Sequence, residues 1–106
     1  LAGGTALYGA AWNGHMKAIW ALLVAGAEVD HANNVGCTAV FAAACKGHVE
    51  ALQMLMEAGA DPNHAANDRT PLASARANHH KAAALALVQA GAIESRRRSF
   101  RLAARR

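Results

Sequence analysis

Apolar residues return at three- and four-residue steps in two stretches, Met16-Ile19-Leu22-Leu23 and Val49-Leu52-Leu55-Met56. That period belongs to a helix with one buried side. It predicts helices over Met16–Ala25 and Val49–Ala58, and in the same register a third over about Lys81–Ala90. Before each lies a stretch in which alanine replaces the larger apolar residues: Ala10 and Ala11, then Ala42 to Ala44, then Ala73, Ala75 and Ala77. Small side chains let helices approach closely, so a second, wedged helix is predicted in each segment. Thr5, Thr38 and Thr70 stand where a side-chain oxygen can cap a free N–H at its start. Pro71 takes the first helical position, where proline costs least. Gly14 and Gly47 provide helix exits, with His79 at that point of the third segment, and Gly26, Gly59 and Gly91 close the second helices.

The spacing of these signals is the strongest observation. Thr5 to Thr38 and Gly26 to Gly59 are both 33 residues, while Thr38 to Thr70 and Gly59 to Gly91 are both 32. A spacing shared by several residue types marks a repeat array. The three copies divide as 1–33, 34–66 and 67–95, followed by a segment at 96–106. Helices shorter than about 12–15 residues are marginal alone in water, so stacking has to hold them.

Several phrases carry a family likeness. They are Thr70-Pro71-Leu72, Ala10-Ala11-x-x-Gly14-His15, Ala43-Ala44-x-x-Gly47-His48, Leu22-Leu23-x-x-Gly26-Ala27 and Gly59-Ala60-Asp61-x-Asn63. Over 1–95 the chain resembles the ankyrin repeat family. The resemblance implies an all-α solenoid of stacked helix-turn-helix pairs, with short β-hairpin fingers near Asp30–Cys37 and Asn63–Arg69. It also implies a concave face lined by the first helices. Two departures stand out. Tyr8, Phe41 and Ala73 replace the family's histidine after Pro-Leu, and the finger at Asn63–Thr70 is one residue short and lacks a counterpart of Gly36.

Composition bounds the rest. A chain of 106 residues, 54% apolar but only 5% aromatic, suits one domain of closely packed helices. No apolar run is long enough to cross a bilayer, and no signal peptide is visible. Cys37 and Cys45 make no disulfide framework, which points to a reduced intracellular compartment. Both ends look cut: Leu1-Ala2-Gly3-Gly4 begins inside a finger, so a fragment of a longer chain or a subunit of a larger assembly is expected.

The net charge of +4 divides unevenly. Five cations and seven anions in 1–95 leave −2, while Arg96, Arg97, Arg98, Arg101, Arg105 and Arg106 give 96–106 a charge of +6. That basic segment reads as the opening helix of a partial fourth copy capping the array, or as a tail. It could meet phosphates in a salt-sensitive nucleic-acid or anion contact, or an acidic protein groove. Phe100 alone interleaves as an aromatic, and Arg96-Arg97-Arg98-Ser99 resembles a basic-directed kinase substrate.

No arrangement for catalysis appears. His64 with His79-His80, and Cys37 and Cys45 with His48, lack the close paired spacing of a structural zinc site. No phosphate loop, acid pair or nucleophile with its base is present, so no cofactor, metal or enzyme activity is expected. A partner protein is the expected ligand. By position, the resemblance implies contacts at Trp12, Asn13, Asn34, Val35, Cys37, Cys45, Lys46, Asn67, Asp68, Arg69 and Asn78. Trp12 is either a binding hot spot or packing for a repeat upstream. Trp20 and Leu85, in the register of Gln53, suggest an outer-face contact, unless their alanine-rich surroundings let them fold down.

Overall fold

The computed structural model describes residues 5–91, which form six helices. These are α1 (Ala6–Trp12), α2 (Met16–Val24), α3 (Ala39–Lys46), α4 (Val49–Glu57), α5 (Pro71–Ala77) and α6 (Lys81–Gln89). They pair as α1–α2, α3–α4 and α5–α6. The first helices pack side by side in one layer, α1 on α3 on α5, and the second helices follow as α2 on α4 on α6. The second helices each end one residue before the predicted point, because Ala25, Ala58 and Ala90 serve as caps.

Local chemistry starts each pair. The Thr5 Oγ1 accepts the Tyr8 N–H at 2.8 Å, Thr38 accepts that of Phe41 at 3.4 Å, and Thr70 that of Ala73 at 3.1 Å. Each threonine backbone is extended, as an N-cap requires. Between the two helices of a pair the chain turns once through a left-handed residue, at Gly14, Gly47 and His79. The bonds His15 N–H to Ala10 O, His48 N–H to Ala43 O and His80 N–H to Ala75 O close that turn at 2.8 to 2.9 Å. His79 therefore keeps the glycine geometry, at φ 63° against 69° and 74°, and the turn of the third copy is not reshaped.

The core runs the length of the stack. Ile19, Leu52, Leu55 and Leu87 point inward from the second helices and meet Val40, Ala42, Ala43 and Ala44, all fully buried. In α3 every residue from Ala39 to Ala44 is buried, since it is flanked on both sides by first helices and backed by α4. A helix apolar all round is what such a site demands.

The fingers are simpler than the resemblance implied. Among the described residues no strand forms, and a single bridge pairs Ala66 with Arg69. In the first finger the Asn33 side-chain oxygen accepts the N–H groups of Val35 and Cys37, both at 3.0 Å, and the Asn33 main-chain N–H donates to the Cys37 carbonyl at 2.9 Å. In the second, Asn67 and Asp68 both take positive φ, 52° and 66°. That is the backbone of a two-residue type I′ turn, which needs no counterpart of Gly36 and explains the missing residue.

Candidate functional site

Four of the eleven expected contact residues come together at the C-terminal ends of α1, α3 and α5. Trp12, Cys45, Lys46 and Asn78, joined by His80, line one depression. The Trp12 ring lies nearly parallel to Tyr8, one helical turn earlier, with centroids 5.9 Å apart. The ammonium of Lys46 sits 5.1 Å from the centre of the Trp12 ring. Such a cation–π contact contributes about 0.5–1 kcal/mol at an exposed site. Trp12 remains 38% exposed, so neither neighbour covers it.

Backbone ties hold this arrangement. The His48 Nε2 lies 3.1 Å from the Trp12 carbonyl and must carry the proton there, since a carbonyl only accepts. One repeat later, the Asn78 side-chain amide donates to the Cys45 carbonyl at 3.2 Å. Trp12 and Cys45 occupy the same register, so the two repeat-to-repeat bonds are equivalent in place but use different donors. On the opposite side, the Asp30 carboxylate accepts the Asp61 N–H at 2.9 Å and joins the first two repeats again.

The other expected residues lie elsewhere. Asn13 donates its amide to the Gly9 carbonyl at 3.0 Å and so closes the end of α1. Asn34 and Val35 are exposed on the first finger, and Asn67, Asp68 and Arg69 on the second. Cys37 is a correction: it is buried with Phe41 and Ala66 beneath the finger, because Asn33 folds the tip back over it. Burial first, then the nearby Cys45, raises the Cys37 thiol above its ordinary 9.0. Burial, followed by both cysteines, also raises Tyr8 above 10.0. Trp20 and Leu85 do not fold down; they stay 60% and 58% exposed on α2 and α6. The arginines at 96–106 lie outside the described residues.

Tyr8 and His80 were absent from the sequence-derived list. The four-residue step from Tyr8 to Trp12 is the signal that places both rings on one side of α1. His80 follows from the register of His48. Among the described residues no group of three or more histidine, cysteine or acidic side chains is placed to hold a metal ion. Within that span no helix is long and apolar enough to cross a membrane.

A family model of three ankyrin repeats matches residues 3–97. The chain belongs to the ankyrin repeat family. Ankyrin repeats are in general protein–protein interaction modules and non-catalytic scaffolds. The chain is also similar to the crystal structure of an ankyrin repeat domain from Acinetobacter baumannii AYE, with 39% identity and a TM-score of 0.79. That alignment covers 86% of this chain but 50% of the other, so the chain spans half the length of that ankyrin domain. No curated protein matches.

Proposed function

We propose that this ankyrin array binds a segment of a partner protein across the ends of its first helices, with Trp12 as the anchor. The observation that supports it is the exposed Trp12 ring, held between Tyr8 and Lys46 at the edge of the depression that Cys45, Asn78 and His80 complete. Tryptophan is enriched at binding hot spots, and a ring already fixed by its neighbours loses little freedom on binding. The exposed fingers, with Asn34, Val35, Asn67, Asp68 and Arg69, extend the surface, and no catalytic step belongs to this reading.

The test is to copurify the chain with its partner and titrate that partner against Trp12→Ala and Lys46→Ala. Trp12→Ala is expected to lose about 2 kcal/mol or more, roughly thirtyfold in affinity, with the fold checked by circular dichroism. An unchanged affinity removes the anchor. Deleting 96–106 and repeating the titration across salt concentrations separates this surface from the arginine segment. Binding that vanishes with the segment assigns the contact to it, as a nucleic-acid or anion contact would require.

A further inference from the structure

The charged side chains of the array are sorted between its two ends. All three lysines of the chain flank the turns that join the helices of a pair: Lys46 closes α3, while Lys17 and Lys81 lie in the first turns of α2 and α6. Glu50, in the first turn of α4, is the single acid at those turns among the described residues. The other five acids of that span, Glu28, Asp30, Glu57, Asp61 and Asp68, stand at the finger end, all of them exposed. First helices end and second helices begin at the turns, so their dipoles offset there and the side chains decide the sign.

The Trp12 depression lies at the lysine end. Its volume is about 500 Å³, within the range of about 300–1,000 Å³ that holds ligands, and Lys46 is the one permanently charged group in its lining. No acid among the described residues pairs with the Lys46 ammonium, which the Trp12 ring holds 5.1 Å from its centre. Lys46 is exposed, and an ammonium has three donors, so it can meet an anion without leaving the ring. With Tyr8 stacked on it and Lys46 over it, the indole has little face left for a run of stacked bases.

We propose that the partner segment held at this depression is acidic. One of its carboxylates pairs with Lys46, and an apolar side chain beside that carboxylate packs against the exposed part of Trp12. Lys17 and Lys81 draw further carboxylates toward the turns, while the five acids at the finger end disfavour the reverse orientation. This rests on the Trp12 reading above and adds the chemistry of the partner to it.

The probe is a short synthetic peptide of glutamates around a central leucine, with a control in which glutamine replaces every glutamate. Titrated into the whole chain, the glutamate peptide should shift the indole N–H resonance of Trp12 and leave that of Trp20, on α2, in place. The control peptide should bind about tenfold more weakly, and so should the glutamate peptide to Lys46→Gln. Lys17→Glu with Lys81→Glu should cost about threefold without touching the indole. All three lysines are exposed, so these replacements keep the fold, which circular dichroism checks. Weaker binding by Trp12→Ala together with indifference to Lys46→Gln overturns the acidic partner and leaves the anchor standing. Glutamate-selective binding that Trp12→Ala does not change overturns the anchor, and the proposal with it. Equal binding by the two peptides overturns the proposal. So does loss of binding on deleting 96–106, which would make the arginine segment the receptor. Tighter binding by oligothymidylate with the same Trp12 shift would overturn it too, by making a nucleic acid the occupant.

Discussion

Replacing Gly47 with alanine tests the stacking directly, because that position answers to two separate demands. Its backbone lies at φ 74°, where an L side chain costs about 1–2 kcal/mol. Alanine recovers about 0.4–1 kcal/mol of that by restricting the unfolded chain, so the backbone alone accounts for about 0.5–1 kcal/mol. The second demand is space. The new Cβ would stand 2.6 Å from His80 Nδ1 and 2.7 Å from its Cγ, so the whole ring has to move. Overpacking of this kind costs about 1–3 kcal/mol, for a total of about 1.5–4 kcal/mol. His79→Gly is the counterpart, since it releases the same backbone strain at φ 63° and should gain about 0.5–1 kcal/mol. Urea unfolding followed by circular dichroism measures both. The steric part is isolated by a cycle with His80→Ala, in which Gly47→Ala should then cost about 1–3 kcal/mol less. No coupling between Gly47 and His80 would refute the close approach and leave only the backbone effect.

Three further outcomes follow from particular atoms. Ser74 is fully buried and its Oγ has no partner among the described residues, so Ser74→Ala should stabilise by about 1–2 kcal/mol in thermal or urea unfolding. A loss instead would show that the hydroxyl is bonded. Asp68→Gly should gain about 0.5–1 kcal/mol, because glycine accepts φ 66° freely while the bond pair Ala66–Arg69 persists. With Tyr8 and Cys37 both raised by burial, the folded state holds its protons longer than the unfolded one, so stability should fall as pH rises through 9.0 and 10.0. Tyr8→Phe with Cys37→Ala should flatten that decline, and an unaltered alkaline slope would assign it to other groups.

What the sequence disclosed depends on how locally each feature is determined. The threonine caps and the helix exits were legible because each rests on residues a few positions apart, and the repeat length because those local signals recur every 32 or 33 residues. The fingers form no strands because strands need a partner ladder, whereas the Asn33 side chain in one finger and the two-residue Asn67-Asp68 turn in the other meet the backbone groups locally. Cys37 was misplaced for a related reason, since only the folded path of the tip shows that it lies beneath and not on the surface. Trp20 remained ambiguous because register gives the side of a helix but not the depth of its neighbours; it stays exposed. The cluster at Trp12 was half legible: position supplied Cys45, Lys46 and Asn78, whereas the four-residue step from Tyr8 put both rings on one side of α1 without showing that they stack.

The way the repeats are tied bears on where binding can vary. Trp12, Cys45 and Ala77 share one register, and at the first two the repeat-to-repeat bond is accepted by the main-chain carbonyl. A carbonyl is present whatever the side chain, so the tie survives a change from tryptophan to cysteine along the same row. The donors differ as well, an imidazole in one case and a carboxamide in the other, yet both reach the equivalent oxygen. By contrast, Ala11 and Ala44, one position earlier, face the neighbouring helix and are fully buried. A larger side chain there would have to displace a first helix. Adjacent positions thus divide the two tasks: one is held small by packing, and the next is released from packing by a backbone bond. The exposed Trp12 ring stands at the released position, where a partner can be recognised without altering how the repeats stack.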